Sequence, residues 1–380
     1  MNTTLPLLVV GGGVGGMSSA IALARRGFQV HLVEIDPQWR VYGAGITITG
    51  PTYRAFSSLG LLAELRQYGY GARGGTRICT AEGVVISEVV SEPLASGMPP
   101  IGGIMRPKLH EMLSKSTRDA GVDVRLGVTY SDWRDLGERT EVAFTDGTRG
   151  DYAAVIVADG ALSKSRGTLF ADAPEPRYTG QYCWRLVAER SPEIDRAHIY
   201  MGGRVFAGLI PTSETGMYMW LLETRAEKNR IDPEQHHRHL AEVMAPFGGT
   251  LGRLRDGLNA GSVINCRPLE ALLMPRPWHR GRIILIGDAA HSTTPHLASG
   301  AGIAVEDGVV LATLLAERAQ VGDAFSRFMA LRWDRCRDVV ESSVAIGALQ
   351  QSGASPAAFG ALMGAAEHRL RADIWSAQDE

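Results

Sequence analysis

The chain has 380 residues, of which 39 are basic and 41 acidic, a formal net charge of −2. That balance offers no basic face for a nucleic-acid polyanion, and the 45% apolar content is enough to bury a large core in about two or three domains at roughly 150 residues each. Glycine is the outlier, with 45 residues against an average usage of about 7%, yet Gly plus Pro stays below the ~25–30% of low-complexity chains.

Leu7–Val10 is a short apolar run of buried-strand type, followed by the cluster Gly11-Gly12-Gly13-Val14-Gly15-Gly16. Met17 to Arg26 reads as a helix stopped by Gly27, and Gln29 to Glu34 as a second strand that ends in an acid. Together they form a β-α-β unit of about 30 residues. Glu141–Phe144 and Asp151–Val157 read as paired strands joined by a turn at Asp146-Gly147. From Gln181 to Leu222 the chain alternates and is rich in aromatics, the pattern of a sheet, with Met217 and Met219 as core filler. His236, His237 and His239 lack the i, i+4 pairing of a helical metal site and read as a polar helix face, so no metal is expected. Arg282–Ile286 is a further strand, Ala301–Arg318 a helix, and the chain from Asp323 onward is helical.

Cys79, Cys183, Cys266 and Cys336 are widely spaced and form no C-x-x-C pair, which fits reduced thiols in a cytoplasmic protein. The first residues lack the basic region of a signal peptide. No apolar run approaches the ~18 residues of a membrane span.

Gly11, Gly13 and Gly16 fit G-x-G-x-x-G between a strand and a helix. Such a loop makes a tight turn, lets a pyrophosphate approach the backbone around Gly13 and Val14, and aims helix N–H groups at the phosphates. Glu34 stands at the next strand end, where a carboxylate accepts from ribose hydroxyls and disfavours a 2′-phosphate. The nucleotide is therefore FAD or NAD rather than NADP. Two later segments separate these: Val155-Ile-Val-Ala-Asp159-Gly160, followed by Ser163 and Arg166, and Ile284-Leu-Ile-Gly287-Asp288-Ala-Ala-His291, continuing through Pro295 to Gly300-Ala301-Gly302 and Glu306-Asp307.

With these three ordered motifs, the chain resembles the single-component FAD-dependent aromatic hydroxylases, the para-hydroxybenzoate and salicylate hydroxylase group. Its Gly-Asp-Ala-Ala-His-Ser-Thr-Thr-Pro-His stretch and its Gly43-Ala44-Gly45-Ile46 segment look nearest to the branch with 6-hydroxynicotinate 3-monooxygenase and urate hydroxylase. The resemblance covers roughly residues 5 to 340. It implies that Asp288 meets the FAD ribityl chain, that Arg106 contacts a flavin phosphate or the ribityl chain, and that the Asp159-Gly160 turn serves FAD and transient NAD(P)H. Arg40, Ala44 and Gly45 would lie along the ribose and isoalloxazine, with Pro295, Gly300 and Ala301 in the flavin loop. Two positions depart from the family pattern: Ala298-Ser299-Gly300 stands where Gly-Gln-Gly is common, and Val157 where a glycine precedes Ala-Asp-Gly.

The resemblance also implies an NAD(P)H-reduced flavin whose C4a-hydroperoxide attacks an electron-rich ring, with dioxygen and a small aromatic substrate as partners. Tyr218, on one face of its strand with Trp220, matches a substrate-contacting tyrosine of that branch. Arg204 lies near the place of a substrate-binding arginine, and Thr47 stands where a histidine flanks the substrate. His291 and His296 read as loop-shaping or ring-adjacent residues.

The expected architecture is α/β. A Rossmann-like FAD-binding domain of the glutathione-reductase type (residues 1–72, 101–176 and 268–340) carries an inserted sheet-rich substrate domain (73–100 and 177–267). A C-terminal helical region (341–380) completes it. The expected activity is NAD(P)H-dependent hydroxylation of an aromatic or heteroaromatic molecule by a cytoplasmic monomer or homodimer. A flavin-dependent epoxidase or reductase acting on a polycyclic natural product is the alternative, and a non-catalytic FAD-fold binding protein a more distant one.

Overall fold

The computed structural model describes residues 4–373, apart from 42 and 73. The last seven residues of the expected C-terminal region and the first three of the chain lie outside the described residues. Leu7–Val10 is fully buried and pairs in parallel with Val30–Glu34 on one side and Ala154–Val157 on the other. A strand covered on both faces needs the unbroken apolar run seen here. The sheet has six strands, in the order His279–Arg280, Ile283–Leu285, Ala154–Val157, Leu7–Val10, Val30–Glu34, Asp123–Leu126. The helices Val14–Ala24 and Gly300–Glu317 pack on each other. They touch so closely that a Cβ on Gly308 would fall 2.7 Å from the Ser19 backbone nitrogen.

The expected strand Asp151–Val157 is two strands in two sheets. Arg149–Tyr152 pairs antiparallel with Thr140–Phe144, while Ala154–Val157 enters the parallel sheet. At the break, the Ala153 N–H donates to the Pro6 carbonyl at 2.9 Å and turns the chain. The Asp146-Gly147 turn is present, with Gly147 at φ +84° and the Thr148 N–H donating to Asp146 at 3.0 Å.

A seven-stranded sheet runs Ile264–Ala271, Arg177–Glu189, Gly216–Thr224, Val205–Pro211, Ala197–Gly202, Thr76–Thr80, Val85–Val89. Cross-strand partners share a face, so the register assigns the two sides. Trp184, Leu186, Met217, Met219 and Leu221 form an outer core under the helices His236–Val243 and Gly249–Asp256. There His239 stacks on Trp184 at 5.2 Å and reaches Glu223 at 3.1 Å, a structural role. The inner side carries Gln181, Cys183, Arg185 and Val187, opposite Thr224, Leu222, Trp220 and Tyr218.

That inner side meets a small sheet of Gly45–Thr49, Ile101–Met105 and Tyr70–Ala72. Contact is close enough that a Cβ on Gly103 would lie 2.5 Å from the Pro211 carbonyl oxygen. The helix Val321–Ser352 then runs unbroken across residue 340 and turns at Gly353, φ +71°, into Pro356–Arg371. All four cysteines are free. Among the described residues, no helix is long and apolar enough to cross a membrane.

Candidate active site

The glycine loop has the geometry that a dinucleotide needs. Gly11 takes φ +104°, and a Cβ there would lie 2.4 Å from the Ala158 oxygen; a Cβ on Gly16 would lie 1.9 Å from the Gly11 oxygen. These two glycines let the strand, turn and helix close on one another. At Gly13 the opposite holds: a Cβ would meet nothing within 4 Å. The helix that starts at Val14 has no side-chain cap and no acidic residue in its first turn, so its N–H groups face open space beside Gly13.

Glu34 ends the second strand as expected, and its carboxylate also holds the loop. Oε2 accepts from the Gly12 N–H at 2.6 Å and Oε1 from the Asp36 N–H at 2.9 Å. Trp39 Nε1 donates to the Gly12 carbonyl at 2.8 Å, a contact that sequence reasoning missed because Trp39 sits at φ +48° in a loop without periodicity. Arg40 is paired at 2.8 Å with Asp36, four residues before it, on the exposed rim.

Asp159 and Asp288 follow two neighbouring parallel strands, Ala154–Val157 and Ile283–Leu285. Asp159 Oδ2 accepts from the Ser165 N–H and hydroxyl at 3.2 and 2.7 Å, while its Oδ1 is buried without a partner. Arg166, 1% exposed, donates to the Ala161 and Ala289 carbonyls and ties the Asp159 loop to the Asp288–His291 turn. The Asp288 side chain reaches solvent at the end of its strand, yet the surrounding protein still desolvates it. Burial raises its carboxyl pKa, opposed by His291 and Arg106.

Pro295 opens a one-turn helix, Pro295–Leu297, followed by Ala298 at φ +48°. Alanine thus takes a left-handed conformation at the position where the resemblance implies glycine, at a cost of about 1–2 kcal/mol. The helix at Gly300 and Ala301 again lacks a side-chain cap and an acid in its first turn. Its far side is anchored by a buried ionic network in which Asp307 accepts from Arg332 at 2.8 Å, from the Gly287 N–H at 2.9 Å, and pairs with His291 at 2.6 Å. Burial alone would raise Asp307, but His291 and Arg332 outweigh it and hold it below the usual carboxylate range. His291, Asp307 and Cys336 offer ligand atoms within 4.8 Å of one another. Arg332 already occupies that cluster, with Nη2 3.7 Å from the Cys336 sulfur.

Tyr218 and Thr47, from different sheets, form one unit: their hydroxyl oxygens are 2.6 Å apart. The Tyr218 phenol is pushed up to about 12, chiefly by burial. Its ring lies flat against the small sheet, since a Cβ on Gly45 would fall 2.0 Å from the Tyr218 Cδ1. Ala44 is buried beside them, and its carbonyl accepts from the Arg106 N–H at 2.9 Å. A Cβ on Gly43 would lie 2.8 Å from the Arg106 Cδ, so the loop is small where the arginine passes.

Arg204 is not part of this group. It occupies the exposed hairpin turn after Ala197–Gly202. Tyr218 pairs with Ile210, six residues further on, about 20 Å along the strand. The arginine that does stand near Tyr218 is Arg185, on the neighbouring strand. Its signal was the alternation Cys183, Arg185, Val187, which only the cross-strand register converts into a position.

The unpartnered Asp159 Oδ1, the open space at Gly13 and the two uncapped helix starts fit FAD. The comparisons agree. The model of the family described as FAD binding domain matches residues 4–344. The aurachin C monooxygenase/isomerase of Stigmatella aurantiaca is 30% identical over 354 residues, covering 92% of this chain and 91% of that one. The 2-heptyl-3-hydroxy-4(1H)-quinolone synthase of Pseudomonas aeruginosa is 31% identical, covering 83% and 82%. The fold is shared with Klebsiella pneumoniae HpxO, solved with FAD and uric acid, at a TM-score of 0.83 and 24% identity over 98% of this chain and 94% of that one. The chain belongs to the FAD binding domain family and is an FAD-dependent monooxygenase.

Proposed function

We propose that the protein hydroxylates a small aromatic or heteroaromatic molecule held between the flavin and the inner face of the seven-stranded sheet. The observation that carries this reading is the Thr47–Tyr218 pair, a neutral phenol and a hydroxyl 2.6 Å apart beside Gly45. It is a neutral polar point on that face, suited to orienting a ring by its hydroxyl or ring nitrogen.

In this reading Gly11, Gly13, Val14 and Gly16 take the pyrophosphate, and Glu34 the adenosine ribose. Arg106, Asp159 and Asp288 would take the flavin side, with Pro295, Gly300 and Ala301 along the ring edge. Bound FAD, reduced by NAD(P)H, supplies the activated oxygen atom from dioxygen. The chain's own part is placement. Tyr218 donates or accepts one hydrogen bond without ionising, Thr47 fixes the rotamer of that phenol, and Val187 and Trp220 of the sheet help exclude water. His296, pushed down to about 4 by burial, is neutral and takes no part as a general acid.

The free thiols suit the same reading of a cytoplasmic enzyme, as monomer or homodimer, where reduced pyridine nucleotide is at hand. The test is NAD(P)H oxidation by the FAD-loaded protein in the presence of phenols and hydroxypyridines, with product identified by mass. Stimulated oxidation with a product one oxygen heavier supports the reading; oxidation that no aromatic stimulates removes it.

A further inference from the structure

The open edge of the seven-stranded sheet carries a second cavity. Among the described residues, no strand pairs with the outer side of Ile264–Ala271. Residues from Lys228 to His236 lie beside that edge and leave a cavity of ≈ 560 Å³ between them and the strand, a volume within the range of small-molecule sites. Its place separates it from the Tyr218 cleft. Tyr182 and Cys266 share the outer side of the sheet with Trp184, whereas Tyr218 faces the opposite side with Val187. Asn265 and Arg267, which alternate with Cys266, complete the wall round the edge.

Hydrogen bonds fix this wall. The Tyr182 hydroxyl donates to the Asn229 carbonyl at 2.6 Å and the Tyr178 hydroxyl to the Arg225 carbonyl at 2.8 Å, which pins the covering segment to the sheet at two points. Lys228 pairs with Glu270 of the edge strand at 2.6 Å. Asp232 accepts from the Glu234 N–H at 3.0 Å and starts the turn Pro233–Gln235.

The lining is two-sided in its chemistry. Ile231, Ile264, Pro268 and the Tyr182 ring are its apolar part. Cys266 and His236 add no charge, since burial pushes the thiol up to about 12 and the imidazole below its ordinary value. The charged side chains in the wall are all cations, Lys228, Arg230 and Arg267, with no carboxylate beside them. Exposed arginines elsewhere face an acid, as Arg139 does Asp151 and Arg149 does Glu141. Among the described residues, neither Arg230 nor Arg267 has a hydrogen-bond acceptor or an acid within ion-pair distance. A pair of guanidinium forks beside apolar surface is matched by an organic anion, whose head takes the donors and whose body takes the apolar wall.

We infer that this edge cavity is a second ligand site, for a small organic anion with an apolar body and a carboxylate or phosphate head. Arg230 and Arg267 hold the head, and Tyr182, Ile231 and Ile264 hold the body. No residue of the Tyr218 cleft lines the cavity, so the site does not depend on the hydroxylase reading.

The probes carry no aromatic ring and so are not substrates for ring hydroxylation. Octanoate and octyl phosphate present the two heads, octanol the body alone and inorganic phosphate a head alone. Each is titrated calorimetrically into the FAD-loaded enzyme. Flavin absorbance monitors the cleft, and hydrogen exchange of residues 226–236 monitors the edge cavity. Octanoate or octyl phosphate should bind and slow that exchange while the flavin spectrum stays unchanged, and the tighter of the two names the head. Octanol and inorganic phosphate should bind at least about tenfold more weakly. The double variant R230Q/R267Q should weaken the acid at least about tenfold, the effect of one charge-assisted hydrogen bond. Both side chains are exposed, so FAD affinity and melting temperature should stay at wild-type values.

Failure of both acids to bind overturns the inference, as does binding that R230Q/R267Q leaves unchanged. Equal binding of octanol would reduce the site to an apolar surface, and equal binding of inorganic phosphate to an adventitious ion only; either removes it. Binding that shifts the flavin spectrum and leaves exchange in 226–236 unaltered would put the acids in the Tyr218 cleft, removing this site while the hydroxylase reading stands.

Discussion

Gly13→Ala separates the space that the fold needs from the space that the cofactor needs. Gly13 has φ −78° and ψ −175°, a conformation that alanine adopts freely, and its Cβ would meet nothing within 4 Å. In the cofactor-free protein the substitution therefore introduces no clash. By restricting the unfolded chain it should stabilise by about 0.4–1 kcal/mol. The same methyl group stands where the pyrophosphate approaches the backbone, so FAD binding should weaken at least about tenfold, or ~1.4 kcal/mol. The assays are the melting temperature of the apoprotein and fluorescence titration with FAD. An apoprotein that melts clearly lower would show that the space is structural; an unchanged FAD affinity would show that the phosphates do not pass Gly13. Gly16→Ala is the contrast. Its Cβ would be 1.9 Å from the Gly11 oxygen, so it should destabilise apo and holo protein alike.

Gly45→Ala drives a methyl group into the Tyr218 ring, which sits 2.0 Å from the Cβ position; overpacking costs ~1–3 kcal/mol. It should lower both the melting temperature and turnover, and wild-type values for both would refute the contact. Tyr218→Phe should cut hydroxylation more than flavin reduction, measured by stopped-flow absorbance; equal effects would make the phenol structural. Because burial pushes that phenol to about 12, it keeps its proton between about pH 6 and 10. The pH profile of Tyr218→Phe should therefore keep its wild-type shape, and a vanished limb would contradict this. Arg332→Leu removes the cation shared by the buried Asp307 and Glu306, leaving them only His291 and Arg335 respectively, and should cost about 3–5 kcal/mol by denaturant unfolding. In the wild type those carboxyls are held below their usual range, so their stabilisation is present above the unfolded carboxylate values and lost as pH falls through the lower folded ones. His291 is raised well above its ordinary value, so its contribution is complete below that value and disappears as pH rises through the folded one. Unfolding midpoints flat across both ranges would contradict the network.

What was legible in the chain is what the backbone itself demands. Gly11, Gly16, Gly45 and Gly287 mark close approaches or unusual dihedrals, which restrict residue type strongly enough to be read from spacing. Tyr218 was legible as one face of an alternating strand. Its partner Thr47 is 171 positions away, and only the packing of two sheets joins them. The place of Arg204 was not legible, because a glycine-flanked arginine near an aromatic strand looks the same in a turn, where it stands, as on a face. Arg185 was overlooked because a strand's alternation says which residues share a side but not which side the cofactor occupies. The Glu306-Asp307 pair was visible as a motif, whereas its role needed Arg332 on the following helix, a contact across 25 residues. The strand split at Ala153 was hidden because its two halves form one continuous stretch, and the hydrogen bond to Pro6 that separates them is remote.

The account's central claim is that this protein inserts one atom of dioxygen into an aromatic ring at the Tyr218 face of an FAD site. Turnover under isotopically labelled dioxygen, with NAD(P)H and an aromatic molecule that stimulates its oxidation, tests this most directly. The account predicts one labelled oxygen atom in the ring of the product, and a marked loss of that product in Tyr218→Phe. Consumption of NAD(P)H with only peroxide formed, or an oxygen atom drawn from water, would contradict it.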